Sequence, residues 1–215
     1  MLYRFNDIKD DILPLCGGKG ASLVKLTRAG LPVPEGYVLT PDSDINEIDQ
    51  IVNVLKGTFA VRSSALNEDG EQASFAGAYE TVTDVEVKDI KGAVQKVRAS
   101  ASDIRVENYA KEQGVRLDGI AVVIQRFVKP DMAGVVFTAD PITGSSARMC
   151  GNYVRGEGEL LVSGIANAKE FFFDAMKYSY EGDPEFAPYA KKLYRCCKKI
   201  RDLWGCAVDI EWAVS

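Results

Sequence analysis

Residues 59–81 combine a short apolar run, one arginine and a stretch of small and polar residues, which constrains the fold strongly. Phe59, Ala60 and Val61 predict the end of a buried strand. Arg62 would then lie at the carboxyl edge of that strand, where its planar guanidinium suits phosphate oxygens. The small residues that follow would leave backbone N–H groups uncovered for the same anion. They are Ser63, Ser64, Gly70, Ser74 and Gly77. The alternative is a mobile surface loop with a structural pair between arginine and a carboxylate.

Length and charge exclude several classes of function. The chain has 215 residues, 47% of them hydrophobic and 27% charged, which is enough for one large domain or two small lobes. The net charge of −5 disfavours a nucleic-acid surface. No apolar run approaches the roughly 18 residues of a membrane helix, and the N-terminal residues lack a secretory apolar region. We therefore expect a cytoplasmic protein with no nucleic-acid or membrane partner.

Histidine is absent from the chain, and this absence excludes several kinds of chemistry. It excludes His-based zinc sites, a Ser-His-Asp triad and any reaction in which this chain supplies its own phosphorylated histidine. The cysteines show no C-x-x-C spacing, so we expect reduced thiols that serve mainly in packing. They are Cys16, Cys150, Cys196, Cys197 and Cys206.

Residues 15–40 predict a helix, a turn and a strand. The helical pattern follows Gly17 and Gly18, Gly30 ends it, and residues 37–40 predict the strand. Lys19 would lie in the first turn of the helix, where the macrodipole already favours anions rather than cations. An anion bound beside Lys19 would explain this position. A solvated surface lysine is the alternative.

Two glycine-containing stretches resemble nucleotide-binding motifs but do not match them. A P-loop would require a glycine at Leu13 and a hydroxyl at Gly20. The stretch that begins at Gly156 starts like G-x-G-x-x-G but has Leu161 in place of the last glycine. The sequence therefore predicts neither a P-loop nor a dinucleotide fingerprint.

Apolar periodicity predicts the remaining scaffold. We expect strands 120–128 and 134–138 to be neighbours in one sheet, with a strand-end pocket for a purine at residues 125–128. The other predicted elements are a short helix within residues 41–56, helices over 89–113 and 188–204, and a strand over 170–173. The apolar stripe of the last helix is Tyr189, Leu193, Cys196, Cys197, Ile200 and Leu203.

The last stretch, CAVDIEWAV at residues 206–214, predicts a strand. Alternation puts Asp209 and Glu211 on one face of this strand. Carboxylates side by side repel each other unless a cation lies between them, and Mg²⁺ held with nucleotide phosphates is the natural candidate. A solvent-facing edge strand is the alternative.

Four stretches resemble, in order, the N-terminal nucleotide-binding region of pyruvate, water dikinase (phosphoenolpyruvate synthase). Pyruvate, phosphate dikinase and rifampin phosphotransferase share this region. The stretches are GGKGASL (17–23) with GLPVPEGYVLT (30–40), AVRSSALNEDGEQASFAGAYET (60–81), QRFVKPDMAGVVFTADPITG (125–144) and DIEWA (209–213). GEGELLVSG followed by KEFFFD is a weaker match.

The resemblance implies an α+β, ATP-grasp-like fold in a compact version, with two lobes that close on ATP and Mg²⁺. The lobes would comprise residues 1–115 and 116–215, together forming a domain that is incomplete at its C-terminus. The resemblance implies catalytic and phosphate-binding roles for Lys19 and Arg62, and a flap over the phosphates at residues 63–77. It also implies nucleotide contacts by Ser63, Ser64, Ser74, Gly77, Gln125, Arg126, Phe127, Val128 and Glu211, and a Mg²⁺ site at Glu211 and Asp209.

Three departures from the family limit what the chain does alone. After D-I-E-W the family continues into Q-x-R-P, whereas this sequence stops at Ser215. The corresponding region of the family is also commonly longer. Family members pass the phosphoryl group to a histidine on a swivelling domain, and this chain has no histidine. We expect an ATP-binding domain whose histidine lies on a missing segment or a separate chain, with pyruvate or another small molecule as acceptor. The alternative is a nucleotide-binding regulatory module that has lost catalysis. A degenerate fold is disfavoured because Lys19, Arg62 and Glu211 are all retained.

Overall fold

The chain divides into two compact units, Met1–Phe127 and Val128–Ser215, each of which contains its own sheet. The computed structural model describes residues 1–66, 69–70, 73–74, 80–100, 119–158 and 168–215. The division falls beyond the boundary expected between residues 115 and 116. The physical reason is that residues 120–126 pair with strands of the first unit.

The first sheet runs in the order β1-β2-β7-β3-β6, and every neighbouring pair is antiparallel. A small separate ladder joins β4 to β5. The strands are Leu2–Arg4 (β1), Gly36–Leu39 (β2), Thr58–Ala65 (β3), Asp69–Gly70 (β4), Ala73–Ser74 (β5), Thr81–Glu86 (β6) and Ile120–Arg126 (β7). The helices are Gly17–Arg28 (α1), Asp49–Val52 (α2) and Ile90–Ser100 (α3), with short 3-10 turns at Phe5–Asp7, Leu13–Cys16, Ile45–Ile48 and Val87–Asp89.

The two faces of the first sheet are buried by different helices. One face packs Phe59 and Val61 of β3 against Val94 of α3. The opposite face packs Val123 of β7 in a cluster with Val24 of α1. Because successive side chains of a strand point to opposite faces, each helix covers alternate residues of the same strands.

The second sheet runs in the order β11-β10-β9-β8-β12, again antiparallel, and a helix packs against one of its faces. Its elements are Met132–Phe137 (β8), Arg148–Arg155 (β9), Lys169–Asp174 (β10), Tyr180–Gly182 (β11), Ala187–Trp204 (α4) and Asp209–Val214 (β12). The core is mainly aromatic. Phe171 and Phe186 have ring centroids 4.9 Å apart, and Phe186 and Trp212 are separated by the same distance.

The predicted adjacency of strands 120–128 and 134–138 is wrong. Both edges of β7 are occupied by β2 and β3, and both edges of β8 by β9 and β12. The segment between β7 and β8 therefore joins two sheets rather than forming a hairpin. A pattern of apolar residues identifies a strand but not its partners, because the partners lie far away in the sequence.

The predicted helices are found, with two differences. The buried residues of α4 are Ala190, Tyr194, Cys197 and Ile200, whereas Tyr189 and Leu203 of the predicted stripe are 39% and 49% exposed. The helix predicted over 89–113 corresponds to α3 as far as Ser100. Its remainder lies outside the described residues.

Candidate functional site

Arg62 lies inside a strand rather than at its end, which corrects the prediction. The strand β3 continues to Ala65, and Arg62 pairs with Val123 of β7 and with Thr81 of β6. The side chain of Arg62 is half-buried between buried neighbours. Because Arg62 and Val123 are directly opposite, they share the face of the sheet that α1 covers.

Ser63 and Ser64 also belong to β3, so the predicted loop does not begin at residue 63. Ser63 pairs with Val122 and Ser64 with Ala121 of β7. Both serines are buried, at 2% and 0% exposure. The backbone of this part is thus engaged in the sheet, and a flap over phosphates is not formed by these residues.

The hydroxyl of Ser64 joins β3 to the start of α1. Its Oγ accepts a hydrogen bond from the backbone N–H of Gly20 at 2.8 Å and donates to the carbonyl oxygen of Cys16 at 2.7 Å. Gly17 has φ of +69°, and a Cβ at this position would lie 2.2 Å from the carbonyl oxygen of Ser64. Glycine is therefore required where the helix approaches the strand.

Lys19 lies in the first turn of α1, as the sequence predicts. The helix begins without a side-chain cap at Cys16 and with no acidic residue in its first turn. Ser64, two residues after Arg62 on the same face of β3, contacts this turn through Gly20. The first unit therefore brings Lys19 and Arg62 to the same side of its sheet.

Gln125 is the second-last residue of β7, lies on the same face of the sheet as Val123 and is buried. Its Nε2 donates to the carbonyl oxygen of Pro34 at 3.2 Å. The next two backbone N–H groups are also occupied, because Arg126 donates to the carbonyl oxygen of Glu35 and Phe127 to that of Thr58, both at 2.9 Å. A purine bound at this linker would therefore have to form its hydrogen bonds with backbone carbonyl oxygens or with the backbone of Val128.

The remaining residues of the predicted flap are described only in part. Ser74 lies in β5, whose backbone pairs with β4, so Ser74 is opposite Asp69. Gly77 lies outside the described residues. Their predicted contacts with nucleotide stay predictions.

Asp209 and Glu211 lie on one face of β12, as alternation predicts, and both are exposed. The strand is at the edge of the second sheet, where it pairs with β8. In the described part of the chain no group of three or more carboxylates or thiols is arranged to hold a metal. A pair of carboxylates nevertheless fits Mg²⁺ that arrives with a nucleotide, since this ion keeps water and phosphate ligands.

The register of the second sheet adds residues that the sequence did not single out. Glu211 is opposite Val135, which is opposite Asn152. In the next row Asp209 is opposite Phe137, which is opposite Cys150. Directly opposite residues share a face, so these residues lie beside the carboxylates. They are Val135, Phe137, Cys150 and Asn152, all half-buried. No signal in the sequence indicated this grouping, because it depends on strand pairing.

The pKa of the Cys150 thiol is affected by the position of this residue on the same face. Burial raises the pKa of Cys150, and the nearby Asp140 carboxylate acts in the same direction. The neutral thiol is therefore favoured, which agrees with the expectation that the cysteines serve in packing.

The family model described as pyruvate phosphate dikinase, AMP/ATP-binding domain, matches residues 41–183, well over half of the chain. The chain belongs to this family, which confirms the resemblance deduced from its motifs. Arg62 and the linker from Gln125 to Val128 lie within the matched range, whereas Lys19 and Glu211 lie outside it. The coarse function is thus that of an ATP-binding domain of a phosphotransferase family.

Curated relatives include the "uncharacterized phosphotransferase YvkC" of Bacillus subtilis (strain 168), which is 28% identical and aligns with 94% of this chain and 32% of its own length. The "probable phosphoenolpyruvate synthase" of Archaeoglobus fulgidus is 27% identical, and the alignment covers 97% of this chain and 39% of that protein. The chain therefore spans about a third of the length of these relatives.

Among solved structures, the crystal structure of PH1788 from Pyrococcus horikoshii Ot3 has a TM-score of 0.52. It is 12% identical, and the match covers 91% of this chain and 84% of that chain. The likeness concerns the fold alone and agrees with the α+β class expected from sequence. In the described part of the chain, no helix is long and apolar enough to span a membrane.

Proposed function

We propose that this chain is the Mg·ATP-binding part of a dikinase-type phosphotransferase with an ATP-grasp-like fold, acting in the cytoplasm. The observation that carries the proposal is the placement of Lys19 and Arg62 on the same side of the first sheet, in a chain of the ATP-binding family. Cations fixed on a rigid scaffold suit phosphate oxygens, because phosphoryl transfer depends mainly on positioning and charge neutralisation.

The proposed contacts with Mg·ATP are of three kinds. Lys19 and Arg62 would bind phosphate oxygens, and the backbone near Val128 would contact the purine. Asp209 and Glu211 would hold Mg²⁺, which would neutralise phosphate charge when bound. The half-buried Phe137 and Val135 are directly opposite these two carboxylates in the sheet.

The phosphoryl group would pass to a histidine supplied from elsewhere, because the chain contains none. A relative named as a phosphoenolpyruvate synthase supports pyruvate as one candidate acceptor.

The absence of histidine also favours a second function, a regulatory module that binds ATP without catalysis. Phosphorylation of a histidine-containing partner domain from [γ-³²P]ATP or [β-³²P]ATP would distinguish the two.

Calorimetric titration of ATP, with and without Mg²⁺, tests nucleotide binding directly. We expect metal-dependent binding that weakens about tenfold or more in Lys19→Ala, Arg62→Ala and Glu211→Ala, because each loses a charged partner of the ligand. Two variants of exposed residues serve as controls, Lys25→Ala in the last turn of α1 and Glu181→Ala in β11. Unchanged affinity in all three site variants, with circular dichroism intact, would refute the site assignment.

A further inference from the structure

The outward face of α4 carries a dense group of positive charges. Exposed lysine and arginine side chains recur along it at helical spacing, opposite the buried face that contacts the second sheet. Between the start of α4 and Arg201 the helix contains no acidic residue, and the first is Asp202. We refer to the exposed group as the basic face of α4. Its residues are Lys191, Lys192, Arg195, Lys198 and Lys199.

The charge of this helix opposes that of the chain. With six basic residues and one acidic residue, α4 has a net charge of +5, whereas the whole chain has −5, so the rest carries −10. The basic face is therefore a local feature rather than a consequence of composition. Its field is confined to a patch on an otherwise acidic protein.

Repulsion between the like charges of the basic face destabilises α4. Arg195 is three residues after Lys192 and four after Lys191, so like charges are neighbours on the helix surface. Lys198 and Lys199 repeat this spacing on the other side of Arg195. Among the residues that the structure describes, no ion pair neutralises Lys191, Lys192, Arg195 or Lys198.

We propose that the basic face of α4 is a docking surface for an acidic protein surface. Carboxylates placed against it would neutralise the repulsion between its lysines, so association would relieve a cost that the free helix carries. This role is independent of ATP binding, since none of these residues belongs to the nucleotide contacts proposed above. A partner with a compact group of Asp and Glu side chains would match it.

The dimensions of the face favour a protein over a nucleic acid. The residues from Lys191 to Lys199 span about 12 Å along the helix axis, given a rise of about 1.5 Å per residue. A duplex carries one charge per roughly 1.7 Å of axis and is longer than such a patch, so the net charge of −10 on the rest of the chain opposes its binding. A compact acidic surface of matching length avoids that repulsion.

Fluorescence anisotropy with a fluorescein-labelled polyglutamate peptide tests the proposal on the full chain at about 50 mM salt, where screening is weak. The helix variant combines Lys191→Gln, Lys192→Gln and Lys198→Gln. The control combines Lys9→Gln, Lys56→Gln and Lys177→Gln, which changes the net charge equally at exposed sites elsewhere. We expect the helix variant to lose about tenfold in affinity and the control to lose less than about twofold.

Three results would overturn the proposal. The first is the absence of peptide binding by the unmodified chain. The second is an equal loss in the two triple variants, which would mean that net charge rather than the basic face attracts the peptide. The third is tighter binding of a labelled DNA duplex than of the peptide at the same salt concentration, which would assign the face to nucleic acid. Circular dichroism of both variants verifies that α4 remains folded.

Discussion

At the scale of single residues, Ser64 has a structural role that the sequence did not indicate. The sequence places Ser64 beside Arg62 and suggests a phosphate contact. In the structure its hydroxyl is engaged by the start of α1, accepting from Gly20 and donating to Cys16. Ser64 thus positions the helix turn that carries Lys19, and it is fully buried.

Replacing Ser64 with alanine should destabilise the first unit. The change removes a buried hydroxyl and both of its hydrogen bonds between β3 and the start of α1, at a cost of about 1–3 kcal/mol. Urea unfolding followed by far-UV circular dichroism measures it. The matched control is Thr27→Ala, which removes a hydroxyl that donates within α1 to the carbonyl oxygen of Leu23 and should cost about 0.5 kcal/mol or less. Equal effects of the two changes would contradict the bridging role of Ser64.

At the scale of elements, charged side chains connect β10 to the turn that precedes α4. Lys169 Nζ donates to Asp183 Oδ2 and to Glu185 Oε2, each at 2.8 Å. These hydrogen bonds are the largest cause of the lowered pKa of both carboxyls, while the pKa of Lys169 is raised. Lys169 is exposed and its two carboxylate partners are half-buried, so screening by solvent keeps the contribution of these pairs small.

Lys169→Met should reduce the stability of the chain in a pH-dependent way. A carboxyl whose pKa is lowered on folding stabilises the protein above its ordinary pKa of about 4 and loses this contribution as pH falls through the lowered value. The urea midpoint of the variant should therefore be below that of the unmodified chain at about pH 7, and the difference should shrink towards about pH 3.

The control for this pH experiment is Lys129→Met, which removes an exposed lysine of the same unit. Its midpoint should follow that of the unmodified chain at both pH values. A difference for Lys169→Met that is constant with pH would show that its carboxylate partners do not respond to Lys169.

The face of a helix that becomes buried is also decided at the scale of elements. The apolar stripe predicted for α4 is rotated from the buried face, so that Tyr194 is inside and Tyr189 and Leu203 remain partly exposed. Tyr194 packs against Phe173 with ring centroids 5.6 Å apart. The aromatic cluster of the second sheet selects this face, and that cluster is assembled from strands far away in sequence.

At the scale of the whole molecule, each unit contains its own buried apolar clusters. The core on the α3 face of the first sheet includes Ile90 and Val94, whereas Phe171 and Phe186 belong to the core of the second. Both tryptophans of the chain, Trp204 and Trp212, lie in the second unit. Tryptophan fluorescence therefore reports on that unit alone, while far-UV circular dichroism reports on both.

We expect core substitutions to affect mainly the unit that contains them. Phe171→Ala should cost about 3–5 kcal/mol and shift the urea transition seen by tryptophan fluorescence to lower concentration. Ile90→Ala should cost about 2–5 kcal/mol. It should shift the urea transition seen by circular dichroism to lower concentration and shift the fluorescence transition less. Coincident shifts of both probes in both variants would instead indicate that the whole chain unfolds as one cooperative system.

Features that depend on neighbouring residues could be predicted from the sequence. The first turn of α1 with Lys19, its end before Gly30 and the alternation of Asp209 and Glu211 all follow from local pattern. The motifs also identified the family correctly, because a family signature is a property of the sequence.

Contacts between residues far apart in the sequence set which strands are neighbours, where β3 ends and which residues share a face. Arg62 was expected at a strand end but lies within β3, because pairing with β7 extends the strand to Ala65. The grouping of Glu211 with Asn152 likewise exists only through β8. The physical reason is that backbone hydrogen bonds between strands join residues remote in sequence, and local propensity carries no information about those partners.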